Sequence, residues 1–155
     1  MALRIIRQEG DEILTKKSRE VTAFDTRLHT LLDDMKETMY DANGVGLAAP
    51  QIGMLKRVVV IDIRDGNGAL ELVNPRIIYK HGETLLVEGC LSVPGVHGYV
   101  RRPEKVKVRA QDRHGNEHVY DGEGMLAQAF CHEVEHLNGE LFLTKVESFI
   151  DEDDI

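Results

Sequence analysis

The stretch FCHEVEHLNGE, Phe130 to Glu140, constrains this chain more than any other. His132 and His136 stand four residues apart, so in a helix both imidazoles leave the same face. A helix is predicted to begin after Asp121-Gly122 and to end at Asn138-Gly139, where a glycine can take the left-handed conformation that stops helices. Leu126, Phe130, Val134 and Leu137 recur at helical spacing and supply an apolar stripe for a core. At about 100° per residue, Met125, Gln128, Ala129, His132 and His136 share a second face. One side of this helix is thus anchored, and the other is free for chemistry.

The rest of the chain reads as one more helix and a set of short strands. From Asp25, the spacing of Leu28, Leu31, Leu32, Met35 and Met39 predicts an amphipathic helix closed by Asn43-Gly44. RVVVIDI, Arg57 to Ile63, is a β-branched run ending at the turn-forming DGNG of Asp65 to Gly68. ELVNPRIIYK, ETLLVEG and GYVRRPEKVKVRAQDR add strands, the last turning at His114-Gly115-Asn116 into NEHVYD. About five strands are expected, giving an α+β fold: a largely antiparallel sheet packed around the central histidine-bearing helix. The 155 residues contain no linker-like stretch and suit a single domain spanning 1–155.

HEVEH matches the HExxH signature of zinc hydrolases, two ligands one turn apart with an acid beside them. Alone it is no more than an even match against an ordinary solvated helix. A catalytic centre needs a third protein ligand and an open fourth position. Cys131, next to His132, is rotated about 100° from the imidazole face and is expected to pack instead. His81 and His114 sit beside glycines in turns, and His29 and His118 have no better claim. Cys90 in EGCLS is the leading candidate by spacing, since Gly89 admits close backbone approach, although a lone cysteine is ordinarily a small buried hydrophobe. Glu133 and Glu135 flank the midline of the two histidines about equally, so helical geometry does not choose between them. The precedent of metallohydrolases favours Glu133.

GVGLAA, Gly44 to Ala49, satisfies the dinucleotide fingerprint G-x-G-x-x-G/A, but a helix precedes it and a strand follows, the reverse of what that site requires. Its glycines are expected to permit a bent backbone and the close approach of an extended segment. Gln51 has an amide able to donate to an oxyanion, or merely to cap part of the core.

Taken together, Gly44, Gly46, Ala48, Ala49 and Gln51; Glu88, Gly89, Cys90 and Ser92; and His132, Glu133 and His136 match the motifs G-x-G-x-A-A-x-Q, E-G-C-x-S and H-E-x-x-H. In this order and spacing, over nearly the whole chain, they resemble the bacterial peptide deformylases. The resemblance implies hydrolysis of the N-formyl group from the initiator methionine of nascent peptides, releasing formate. It implies one divalent ion on Cys90, His132 and His136, natively ferrous iron, with zinc, nickel or cobalt as substitutes. It makes Glu133 the proton carrier and assigns the Gln51 amide and the Leu91 N–H to the oxyanion. Substrate is expected as an extended strand near Gly46 and Gly89, with its methionine side chain among Val45, Leu86, Met125 and Ala129. Three departures from the family pattern bear on this: Glu135 replaces an aspartate, Gln128 an apolar residue of several relatives, and His97 an arginine that in some relatives meets substrate, a contact that is either supplied by Arg101 or Arg102 or absent.

Nineteen basic against 27 acidic residues, net −8, and no basic cluster beyond short pairs argue against nucleic-acid binding. MALRIIRQEGDEIL has no apolar run of signal-peptide length and no segment is long enough to span a membrane, so a cytoplasmic monomer is expected. Transient ribosome contact is a further expectation, though not through the long C-terminal helix of some relatives, because the chain ends soon after LFLTKVESF. The terminal DEDDI is expected to be a solvated end. Two other readings compete: a small zincin-like metallopeptidase, which would not use a cysteine ligand, and a non-catalytic deformylase-like domain that binds metal or peptide termini.

Overall fold

The computed structural model describes residues 2–151; apart from exposed Asp151, the DEDDI tail lies outside them. Helix α1 spans Thr26–Asp41, and the strands follow as β1 Gly46–Ala48, β2 Val58–Ile61, β3 Leu70–His81, β4 Thr84–Cys90, β5 Val93–Arg102, β6 Lys105–Gln111 and β7 Glu117–Glu123. Helix α2, Met125–Leu137, and strand β8, Val146–Ile150, complete the order. The antiparallel α+β class is as expected, but there are two sheets: five strands in the order β1-β2-β3-β6-β7 and three in the order β4-β5-β8.

The five-stranded sheet is covered on both faces, which explains the unbroken apolar run in β2. Val58 and Val60 pack with Leu28, Leu31, Leu32, Met35 and Met39 of α1, whereas Val59 and Ile61 pack with Phe130, Cys131 and Leu137 of α2. Alternation along a strand sends neighbours to opposite faces, so a strand between two helices needs apolar residues at every position. The β4-β5-β8 sheet has its own small cluster, Val93, Val100 and Phe142.

The expected start of α2 is corrected. Asp121 and Gly122 belong to β7, where they pair with Lys107 and Val106, and the helix begins only after Gly124, at φ +58°. The end of α2 is held from outside. Its last carbonyls lack helical partners, and Leu137 C=O accepts from Ser18 N–H (2.8 Å) and from the Arg57 guanidinium (3.1 Å). Gly139 takes φ +78°, as expected, and a Cβ there would lie 2.5 Å from the Thr15 carbonyl oxygen.

The glycine motif is also corrected. Gly46 lies in β1 rather than in a bent loop, and neither Gly44 nor Gly46 has positive φ. Space is what requires glycine here: a Cβ on Gly44 would stand 2.6 Å from Leu91 Cδ1, and one on Gly46 would stand 2.5 Å from Glu133 Oε2. The sequence reading missed β1 and β8, short strands of three and five residues, and ran GYVRRPEKVKVRAQDR together as one strand, whereas it breaks at Pro103-Glu104 into β5 and β6 of different sheets.

Gly139→Ala combines left-handed strain with a clash against fixed backbone. It is expected to cost about 2 kcal/mol or more, read as a lowered urea midpoint with unchanged slope.

Candidate active site

Cys90 at the end of β4 and the two histidines of α2 bring Sγ and two ring nitrogens within 4.8 Å of one another. His136 Nε2 lies 3.3 Å from Cys90 Sγ and 3.2 Å from His132 Nε2. A sulfur and two imidazoles converging in this way fit a divalent ion of the zinc or ferrous type. The surroundings act oppositely on the two rings. Burial lowers the pKa of His132, but the charge of Glu133 and hydrogen bonds with Cys90 and Glu88 outweigh it and hold the group well above its ordinary value. His136 is pushed well below its ordinary value, first by burial and then by His132, which keeps its ring neutral with a lone pair to offer.

Glu88 orients this cluster. Its carboxylate accepts from His132 Nδ1 at 2.7 Å, which fixes the tautomer and leaves Nε2 free to face the other donors. Arg102 grips the same carboxylate through two nitrogens, at 2.9 and 2.5 Å, and its third nitrogen reaches Glu135 at 2.6 Å. Burial alone would raise the Glu88 pKa; the hydrogen bonds from His132 and then Arg102 overcome this and hold it at about 2. This arrangement separates the two acids that helical spacing left equivalent. Glu135 is committed to Arg102 and, at 3.2 Å, to Lys145. Glu133 is buried with Oε1 unpartnered, and burial, offset in part by the charge of His132, raises its pKa to about 7.

Gln51 is 1% exposed. Its Oε1 accepts from Ala48 N–H (2.9 Å), and its nitrogen donates to Ser92 Oγ (3.0 Å) and points at Cys90 Sγ (3.6 Å). A cavity of about 650 Å³ opens over this cluster, lined among others by Val45, Gly46, Gln51, Gly89, Cys90, Leu91, Met125, Ala129, His132 and Glu133. His136 lies behind this lining. Of the residues expected around the methionine, Val45, Met125 and Ala129 line the cavity; Leu86 is not among the lining residues, whereas its neighbour Val87 is. Gln128 and His97 line it, with the Gln128 nitrogen donating to Val87 C=O at 2.8 Å. Neither Arg101 nor Arg102 is among the residues lining the cavity: Arg102 is 3% exposed and ion-paired, and Arg101 pairs with Glu147 at 2.9 Å. Cys131 packs in the core as expected. Among the other histidines, His29 of α1 meets the Arg113 carbonyl (2.8 Å) and His118 of β7 meets Asp112 (2.8 Å), while His81 ends β3 rather than lying in a turn. The sequence reading left Glu88, Ser92 and Arg102 without a structural role and missed Ile6 and Gln8 of the cavity wall. The alternation of Glu88 with Cys90 along one strand was a usable signal for the first; nothing local marks Ile6 or Gln8.

Residues 3–151 match the family described as Polypeptide deformylase. The chain is 62% identical over 155 residues to the peptide deformylase of Caldicellulosiruptor bescii, covering 100% of this chain and 92% of that one. It is 57% identical over 155 residues to that of Acetivibrio thermocellus, covering 100% and 90%. Among solved structures, a peptide deformylase from Legionella pneumophila superposes with a TM-score of 0.91 at 49% identity, covering 94% of this chain and 86% of that one. One from Thermotoga maritima also gives 0.91, at 38% identity and 94% and 99% coverage.

Arg102→Met removes the guanidinium from the buried Glu88 carboxylate and one of the two cations of Glu135, and is expected to destabilise the protein by about 3–5 kcal/mol in urea unfolding. Glu133 has the opposite sign. Its pKa is about 7 in the fold against 4.5 for a free group, so its contribution to stability is full below 4.5 and lost as pH rises through 7. In chelator-treated protein, Glu133→Gln is therefore expected to be more stable than the parent by about 3 kcal/mol at pH 8, with little difference at pH 4.

Proposed function

The chain belongs to the polypeptide deformylase family, and from that premise we propose how its residues remove the N-formyl group from the N-terminal methionine of nascent peptides. The observation that carries the reading is the convergence of the Cys90, His132 and His136 donor atoms beside a carboxyl whose pKa is raised to about 7, under one cavity.

Cys90, His132 and His136 hold the divalent ion, ferrous iron in the native enzyme, with zinc, nickel or cobalt able to replace it. When bound, that ion supplies Lewis acidity, making water acidic near neutral pH and polarising the formyl carbonyl. Glu133 takes the proton of the attacking water and delivers it to the departing amine. A carboxylate held beside both the water and the departing amine can serve both transfers. The Gln51 amide and the Leu91 N–H stabilise the oxyanion, each by about 2–4 kcal/mol in a site shielded from water. Ser92 and Ala48 hold the Gln51 amide in place for this.

The peptide is bound as an added strand. β1 is the edge of its sheet, and the hydrogen bond from Asp62 N–H to Val45 C=O (2.8 Å) makes Gly46 and Ile61 a non-hydrogen-bonded pair. In such a pair, the backbone groups of Gly46 face away from β2 and are free to meet substrate. Val45, Met125 and Ala129 take the methionine side chain, and Gly89 admits the peptide backbone. The enzyme works as a monomeric single domain in the cytoplasm and meets nascent chains in transient contact with the ribosome, with no direct nucleic-acid or membrane binding. No helix among the described residues is long and apolar enough to cross a membrane.

Protein purified without oxygen is expected to carry one divalent ion per chain and to release formate from formyl-Met-Ala-Ser while leaving Met-Ala-Ser intact. Cleavage of internal bonds in the unformylated peptide would overturn the reading in favour of an endopeptidase. Glu133→Ala is expected to retain its ion and lose about 100-fold or more in kcat.

A further inference from the structure

Tyr40, Asp62 and Arg64 form a cluster that the chemistry above does not use. It joins the last turn of α1 to the end of β2 and to the segment leading into β1. Tyr40 Oη donates to Asp62 Oδ2 at 2.5 Å, and Arg64 N–H donates to Asp62 Oδ1 at 2.8 Å. The Arg64 guanidinium lies 5.8 Å from the Tyr40 ring centre and donates to Gly44 C=O at 3.1 Å. Arg64 adopts φ +61°, a region that side-chain-bearing residues seldom occupy and that persists where surrounding contacts impose it.

What the cluster holds is the wall of the cavity. Gly44, Val45 and Gly46 line it. Arg64 pins the Gly44 carbonyl, and the Asp62 N–H pins the Val45 carbonyl, so two successive peptide planes are set just before Gly46. On the opposite side, Gly44 is in contact range of Leu91 and Gly46 of Glu133, which limits how far the segment can shift inward.

We propose that Arg64 is a positioning residue for substrate: by holding the Gly44 carbonyl from behind, it keeps the Gly46 backbone aligned to receive an extended formyl-peptide. The proposal rests on the strand-addition reading above. Arg64 touches none of the reacting groups, so its loss acts on the docking of the peptide and spares the proton transfer.

Arg64→Gly and Arg64→Lys test this with formyl-Met-Ala-Ser as substrate. Glycine accepts the positive φ without strain, so removing the guanidinium in this way keeps the backbone path available. Arg64→Gly is expected to raise KM about tenfold, with kcat within about twofold and the melting temperature within about 2 °C of the parent. Arg64→Lys, which keeps a donor able to reach the carbonyl, is expected to recover most of the KM. An unchanged KM in Arg64→Gly overturns the proposal. So does a KM that rises only together with a fall in melting temperature and is not rescued by lysine, which would make Arg64 a stabilising residue alone. If the parent enzyme itself releases no formate, it is the functional reading that fails.

Discussion

The buried carboxylate of Glu88 is the point on which the site turns. It accepts from His132 Nδ1 on one side and is gripped by Arg102 on the other, so one residue of β4 ties α2 to β5. Without it, the His132 ring would have no fixed tautomer and Arg102 no buried partner of matching geometry. A bidentate guanidinium and carboxylate pair is directional as well as attractive, and here the direction carries through to the imidazole. The same Arg102 binds Glu135, and of the two acids between the histidines it is Glu133 that lines the cavity.

Around this network, the two sheets divide the work. The five-stranded sheet, packed between α1 and α2, gives the histidine helix a rigid bed and offers the free edge of β1. The three-stranded sheet brings Cys90 and Gly89 to the other side of the cavity. The two glycines of the first motif belong to this meeting of layers, since any side chain at 44 or 46 would occupy the space taken by Leu91 or Glu133. Close approach between elements, more than backbone freedom, explains why glycine stands at both positions.

Much of the fold was legible because its signals are local. The stripe of Leu28 to Met39, the β-branched run of β2 and the stop at Gly139 each follow from periodicity or from one residue's conformational range. The pair of histidines was legible for the same reason, and the third ligand became a specific expectation only through resemblance of three motifs together. The elements that escaped are those stabilised from a distance. β1 has three residues and exists because β2 is beside it; β8 pairs only with β5. The start of α2 was misplaced because Asp121-Gly122 looks like a turn in isolation, while pairing with β6 keeps it extended.

By itself, the sequence determined which chemistry was available: two imidazoles on one helical turn, an acid beside each, a cysteine between glycine and leucine, and alternations that require a layered α+β core. It did so because spacing along a helix or strand converts directly into direction. The tertiary structure alone decided which acid is committed to an ion pair and which is buried without one, and that Arg102 is buried in an ion-pair network. Those outcomes depend on desolvation and on partners tens of residues away, and neither is a property of a residue and its neighbours along the chain.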